Sequence, residues 1–150
     1  MKRLVLILFV LVFSSCGTVL KVVEEKKQIS EKVEYSIDKI EYRGSMAEGG
    51  MRYFPEKGFK FAVLRILINN YSNTKADLNF KDFYLLDVNS KIKYSPESIY
   101  TTGLVWLPAQ IKSDIKKDSR KKRNLVYVIP LDMDVKYTMI GGKMDVIKFK

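Results

Sequence analysis

The sequence predicts an all-β domain, folded as a sandwich of about seven or eight short antiparallel strands. Three observations support this fold class. Apolar and polar residues alternate with a period of two along several segments, and glycine, proline and asparagine separate these segments at short intervals. After residue 32, no stretch of useful length repeats its apolar residues with the helical period, so long helices are not expected.

The first fifteen residues have the organisation of an export signal. Lys2-Arg3 forms a short basic start, Leu4 to Phe13 is an unbroken apolar run, and Ser14-Ser15 precedes Cys16. The apolar run has the length of a signal-peptide core and is too short to cross a bilayer. Small residues followed at once by a cysteine resemble the lipobox of bacterial lipoproteins, although a phenylalanine stands where that motif usually has Leu, Val or Ile. The resemblance implies that residues 1–15 are removed and that the sulfur of Cys16 is acylated.

Cys16 has alternative explanations, because an ordinary secretory signal followed by a chance cysteine has a similar pattern. A catalytic thiol is disfavoured, since the chain contains no histidine to act as its base. Cys16 is the only cysteine, so an acylated chain has no disulfide and depends on an apolar core for stability. By resemblance to the sorting rule of enteric lipoproteins, Gly17 in place of aspartate favours the outer membrane or cell surface.

The composition predicts one basic domain behind a tether. Of 27 basic residues, two lie in the signal, which leaves 25 against 17 acidic residues and a net charge of +8. We expect residues 16–32 to form the acylated cysteine and a mobile spacer, with a short helix as the alternative. Residues 33–150 then form the sandwich, at a common size for one domain.

The strands are predicted from alternation and from the turn residues between them. The alternation from residue 33 to residue 42 slips by one position, which indicates a bulge or two short strands. Phe59 to Asn69 is the strongest strand, and Gly141-Gly142 is typical of a two-residue hairpin turn. The other expected strands are 78–80, 83–87, 92–94, 125–129, 136–140 and 145–149.

One run of the sequence resembles a known family. It has a glycine, a long apolar strand that ends in paired asparagines, a phenylalanine-led strand with an acidic turn, and a tyrosine. These features are similar to the telokin-like, immunoglobulin-fold domains of bacterial exported proteins and lipoproteins, which implies an immunoglobulin-like sandwich and no particular activity. They are Gly58, Phe61 to Ile68, Asn69-Asn70, Phe83 to Asp87, and Tyr94.

A basic segment, residues 111–123, stands where that family often has a short glycine turn. It carries seven basic residues against two acidic ones, and we expect a loop. Clustered cations favour contact with anionic lipid, lipopolysaccharide or sulfated glycan, acting together with the lipid anchor. A solvated loop without a partner is the alternative, and export makes nucleic acid an unsuitable partner. The candidate contact residues are Lys116, Lys117, Arg120, Lys121, Lys122 and Arg123.

The long strand also has a second face. If Ala62, Leu64, Ile66 and Ile68 point into the core, the opposite face presents an apolar stripe around Arg65. Exposure of that stripe would make it a surface for an envelope or host protein. The alternative is that residues 104–107 cover it. The stripe consists of Phe61, Val63, Arg65 and Leu67.

The sequence contains no motif for a cofactor, metal or catalytic triad. Asp132 and Asp134 are a candidate carboxylate pair for calcium or for acid–base chemistry, but a solvated strand end is the favoured explanation, because no further oxygen ligands cluster nearby. We therefore expect a non-catalytic, membrane-anchored binding domain with no cofactor beyond the lipid. An accessory or inhibitor subunit of another envelope protein is the main alternative, and a hydrolase is a weaker one.

Overall fold

The structure, a computed structural model, describes residues 17–103 and 106–150. This part of the chain contains fourteen strands and one 3₁₀ turn, and it contains no helix long and apolar enough to cross a membrane. The strands are β1 (Thr18–Lys21), β2 (Lys27–Ser30), β3 (Val33–Arg43), β4 (Met46–Glu48), β5 (Met51–Tyr53), β6 (Phe59–Asn70), β7 (Ala76–Asn79), β8 (Tyr84–Asp87), β9 (Ile92–Tyr94), β10 (Ser98–Tyr100), β11 (Lys112–Ile115), β12 (Ser119–Pro130), β13 (Tyr137–Ile140) and β14 (Lys143–Val146).

A six-stranded antiparallel sheet forms one layer. Its order is β1-β3-β6-β12-β10, and β2 continues beside β3 on the edge that β1 also occupies. Strands β6 and β12 pair along their whole length, from Asn70 opposite Ser119 to Phe59 opposite Pro130. The predicted slip in β3 is a bulge between Ile37 and Lys39, within one continuous strand.

Two smaller sheets form the other layer. One has the order β14-β13-β8-β9, and the other pairs β7 with β11. The predicted hairpin is confirmed, since β13 and β14 pair across Gly141-Gly142, and both glycines have positive φ angles. A separate hairpin, β4–β5, lies outside these layers. The all-β sandwich expected from the sequence is therefore the observed architecture.

The core lies between the layers, and the predicted core face of β6 is confirmed. Ala62, Leu64, Ile66 and Ile68 are each at most 2% exposed and belong to one apolar cluster with residues of the smaller sheets. Some buried polar groups at this interface are hydrogen-bonded. The hydroxyl of Tyr127, for example, donates to the carbonyl oxygen of Phe83 over 2.8 Å.

The prediction of a mobile spacer is wrong for residues 17–32. Strands β1 and β2 both pair with β3, so this segment is part of the sheet. Val22 is 5% exposed, Leu20 packs against the core, and Val22 also bridges to Phe149 near the end of the chain. Leu20 and Val22 therefore serve the core, and residues 17–32 belong to the folded domain.

Candidate functional site

The basic segment is not a loop, which corrects the sequence prediction. Residues 112–115 are β11, which pairs with β7, and β12 begins at Ser119 and pairs with β6. The turn at 116–118 thus crosses from a small sheet to the large one, and Asp118 takes a positive φ of 47°. Ile115 is fully buried and holds the first half of the crossing in the core. Sequence reasoning missed this because lysine-rich segments are usually solvated loops.

Asn70, at the end of β6, holds the crossing in place. Its Nδ2 donates to the carbonyl oxygens of Ile115 and Lys116 over 3.0 and 3.2 Å, and to that of Thr74 over 2.9 Å. Its Oδ1 accepts hydrogen bonds from the backbone N–H and hydroxyl of Ser72. The side chain is 1% exposed, so these bonds are shielded from water.

Strand alternation divides the six candidate cations into three groups. Lys116 and Lys117 lie exposed in the turn. Arg120 and Lys122 are exposed on the outer face of the six-stranded sheet. Lys121 and Arg123 take the opposite side of β12, which further along the strand faces the core.

The two inward residues are engaged within the protein. Nζ of Lys121 donates to Oγ of Ser113 over 2.6 Å and to the carbonyl oxygen of Asp114 over 2.9 Å. Arg123 donates from Nη1 to the carbonyl oxygen of Lys122, and its Nε is buried without a hydrogen-bond partner. Burial lowers the pKa of both side chains because it disfavours their charged forms. Lys121 and Arg123 are therefore structural, and they are removed from the candidate contact.

A further cation joins the exposed group. Lys26, in the segment expected to be a spacer, donates from Nζ to the hydroxyl of Tyr71 over 3.4 Å. This hydrogen bond raises the pKa of Lys26, and the nearby charge of Arg120 opposes the rise. No local pattern predicts this neighbour, because it results from the pairing of β2 with β3. We call the exposed set the basic surface. It consists of Lys26, Lys116, Lys117, Arg120 and Lys122.

Of the two alternatives for the stripe, the covered one fits Val63. Val63 is 2% exposed because Met46, Tyr100 and Val126 cover it, with Trp106 packed at their side. The β4–β5 hairpin thus supplies cover that the sequence did not suggest. Leu107 is 59% exposed, and Leu104 and Val105 lie outside the described residues.

The other members of the stripe have separate environments. Nε of Arg65 donates to Oδ1 of Asn124 over 3.2 Å, Leu67 is half-buried, and Phe61 lines a cleft beside the hairpin. That cleft has a volume of about 620 Å³, and it also contains Phe54, Phe59 and Tyr100. Glu48 accepts a hydrogen bond from the hydroxyl of Tyr100 over 2.8 Å inside it.

Asp132 and Asp134 are both exposed and line a polar cleft of about 610 Å³ with Asp87. Asp87 is engaged with its own turn, because it accepts hydrogen bonds from the backbone N–H of Asn89 and the hydroxyl of Ser90. These bonds, first that from Ser90, lower the pKa of Asp87. Within residues 17–103 and 106–150, no group of three or more acidic, histidine or cysteine side chains is placed to hold a metal.

Cys16 lies outside the described residues, whereas the next residue, Gly17, has a described position in the fold. A Cβ atom at Gly17 would clash with the carbonyl oxygen of Tyr42, so the backbone at Gly17 runs close to the end of β3. Thr18 pairs with Tyr42, and Arg43 pairs with Phe61. Gly17 therefore marks the end of the sheet at which β3 finishes and β6 begins.

The basic surface lies at the other end of this sheet. Ser119 pairs with Asn70 and Val33 also pairs with Asn70, whereas Phe59 pairs with Pro130 close to the Gly17 end. Along β6, Gly17 is level with Phe61, whereas Lys122 pairs with Leu67 and Ser119 with Asn70. Six to nine residues at about 3.4 Å per residue therefore separate the Gly17 end from the basic surface by about 20–30 Å. The position after Cys16 and the basic surface are thus at opposite ends of one rigid element.

Two solved structures are similar to this chain. A conserved hypothetical protein from Bacillus anthracis has a TM-score of 0.63 at 16% identity, covering 91% of this chain and 98% of its own. An uncharacterised β-sandwich protein from Clostridium difficile 630 has a TM-score of 0.58 at 20% identity, covering 85% of this chain and 91% of its own. A scan against protein-family models and a search of curated proteins found no match. The similarity shows a β-sandwich fold and does not confirm the telokin-like family.

Proposed function

We propose that the protein is a lipid-anchored, non-catalytic binding domain of the bacterial envelope, which presents its basic surface to an anionic glycan. The observation that carries this proposal is the placement of the basic surface and Gly17 at opposite ends of the six-stranded sheet. An anchor on Cys16 then places one end beside the membrane and leaves the basic end free for a ligand.

The anchoring part rests on the sequence before Gly17 and on the structure after it. The basic start, the apolar run and Ser14-Ser15 resemble a lipoprotein signal. Gly17 packs against β3, so the attachment point has no flexible spacer after it. We place the anchor in the outer membrane or at the cell surface, and the immunoglobulin-like, telokin-like relationship remains part of this proposal.

The glycan part follows from charge and distance. A separation of about 20–30 Å is roughly two to four times the screening length of about 8 Å at physiological salt. If the Gly17 end lies at the bilayer, the basic surface is too far from that bilayer to strengthen the attachment of the protein to it. The sequence suggested that the cations act together with the lipid anchor on the same membrane. We propose instead that they face away from that membrane and contact an anionic glycan. Exposed Lys and Arg side chains bind polyanions by releasing their counterions.

Heparin, as a sulfated glycan probe, tests this with residues 16–150 carrying Cys16→Ser, which retain every residue that the structure describes. Affinity is measured between low and physiological salt for the parent and for an Arg120→Gln/Lys122→Gln variant. Loss of two contact charges is expected to weaken binding and to reduce the slope of log Kd against log salt by about two.

The matched control is Arg52→Gln/Lys57→Gln, which removes the same charge from exposed positions near the Gly17 end. It is expected to bind heparin nearly as the parent does. If both double variants lose the same affinity, the effect is net charge alone and the proposed glycan surface is wrong.

A further inference from the structure

Large apolar side chains are exposed at the end of the sheet where Gly17 lies. Phe54 is 68% exposed and Leu131 58%, although both belong to residue types that usually avoid water. Phe54 follows the β4–β5 hairpin, and the chain then enters β6 at Phe59. We call this set the anchor-end patch. It consists of Tyr53, Phe54, Phe59 and Leu131.

The members of the patch lie together at the start of β6, because Tyr53, Phe54 and Phe59 line one cleft and hydrogen bonds hold Leu131 there. The backbone N–H of Leu131 donates to the carbonyl oxygen of Gly58 over 2.9 Å, which places Leu131 beside the start of β6. Nζ of Lys60 donates to the carbonyl oxygen of Leu131 over 2.8 Å and fixes the same junction. Because β1, β3 and β6 are successive strands, Gly17 is about 10 Å across the sheet from β6.

We propose that the anchor-end patch docks into the interfacial layer of the lipid bilayer that holds the anchor. The occupant is assigned from where the chain leaves the structure, since residues 1–16 with their apolar run and the single cysteine join the fold at Gly17. Aromatic and long apolar side chains partition into the headgroup and acyl boundary. The inference rests on the proposed lipid anchor for the identity of the membrane in cells.

The charge around the patch favours an apolar contact over an electrostatic one. Arg52 and Lys57 are exposed there, and so is Glu56, while Glu48 is half-buried. Cations and carboxylates thus nearly balance, in contrast to the basic surface at the far end. Docking is therefore expected on zwitterionic lipid, with little dependence on salt.

Docking would also fix the orientation of the domain. A single acyl attachment allows the domain to rotate about one point, whereas a second contact about 10 Å away restrains it. With both contacts in the bilayer, the strands of the six-stranded sheet stand away from the membrane, and the basic surface is at the distal tip.

The test measures the depth of single tryptophan probes above lipid. Residues 16–150 are coupled through the thiol of Cys16, the only cysteine, to a maleimide phospholipid in phosphatidylcholine vesicles. Trp106→Phe removes the native tryptophan, and Phe54→Trp places a probe in the patch. A matched Tyr71→Trp probe, exposed at the basic end, serves as the control. Because the attachment is chemical, failure of acylation in cells would overturn the proposed anchor without affecting this measurement.

Brominated lipids quench tryptophans that reach the interfacial layer. Quenching of the Phe54→Trp probe is expected to be about threefold or more stronger than that of the Tyr71→Trp probe, since interfacial side chains enter the boundary by about 5–10 Å. Leu131→Trp provides a second patch probe if the first variant does not fold, and thermal melts report folding. Equal quenching of patch and control probes overturns the proposal. Self-association through the patch, seen as a dimer in sedimentation that Phe54→Ser dissolves, also overturns it.

Discussion

Nδ2 of Asn70 lies 3.0 Å from the carbonyl oxygen of Ile115, and this hydrogen bond joins the end of β6 to the crossing that begins β12. It connects the two layers of the sandwich at the base of the basic surface. The backbone that carries Lys116 and Lys117 is therefore fixed by this hydrogen bond, which lowers the conformational entropy lost when the turn binds a partner.

Replacing Asn70 by alanine should destabilise the protein by about 3 kcal/mol, because buried carbonyl oxygens of Ile115 and Lys116 would lose their donor. Urea unfolding measures this loss. Asn69→Ala is the matched control, since Asn69 is equally buried but its Oδ1 already lacks a hydrogen-bond partner. A loss at Asn69 as large as that at Asn70 would contradict the role of the amide.

Ile66→Ala should lower the free energy of unfolding by roughly 2–5 kcal/mol, because it leaves a cavity in the core. Ile66 is fully buried between the layers. Leu67→Ala, one position along on the half-buried outer face, should cost less in the same denaturant melt. The reverse order would mean that the register of β6 is shifted by one residue.

Lys121→Gln should cost about 1 kcal/mol of stability, whereas Lys122→Gln should change it by no more than about 0.5 kcal/mol. The reason is that Nζ of Lys121 bonds to Ser113 and Asp114, while Lys122 is exposed on the other face. Thermal melts of the two variants at equal salt make the comparison. Identical melting temperatures would show that β12 does not place these two lysines on opposite faces.

Stability should fall at alkaline pH through Tyr35. Burial raises the pKa of its hydroxyl, which also donates to Oδ2 of Asp145 over 2.8 Å. Because the folded pKa exceeds the unfolded value of about 10, this contribution is complete below about pH 10 and is lost as pH rises toward the folded pKa. Urea midpoints at about pH 8 and about pH 11 should fall less for Tyr35→Phe than for the parent. An equal fall in both proteins would exclude Tyr35 as a source of the pH dependence.

Cys16→Ala should abolish acylation and processing at this position. Incorporation of labelled fatty acid, followed by mass measurement of the mature chain, checks both events. The parent is expected to begin at residue 16 and to carry the lipid, as the short apolar run and Ser14-Ser15 predict. Label that persists in the variant would place the lipid elsewhere and overturn the assignment of Cys16.

Some of the fold could be predicted because it depends on local pattern. Alternation along β6 assigned Ile66 and Ile68 to the core, and Gly141-Gly142 identified the last hairpin. Strand β1 could also have been found, since Leu20 and Val22 alternate with Val19 and Lys21. The run of charged residues from Glu24 to Lys27 is instead typical of a mobile spacer.

The candidate site was less predictable because its parts are distant in sequence. The sequence identifies the cations between residues 116 and 123, but it does not show which of them are exposed. Pairing of β12 with β6 turns Lys121 inward and leaves Lys122 exposed. Lys26 joins the basic surface only because β2 pairs with β3. Val63 is covered by a hairpin whose three-residue strands are too short to give a clear alternation.

By itself, the sequence determined the all-β class, the core face of the longest strand and the strong excess of basic residues, since side-chain alternation and charge are properties of short segments. Tertiary structure alone decided that Gly17 and the basic surface lie at opposite ends of one sheet, and that apolar side chains gather at the Gly17 end. The physical reason is that antiparallel partners are chosen by hydrogen bonding and burial between distant segments, such as Thr18 with Tyr42 and Ser119 with Asn70.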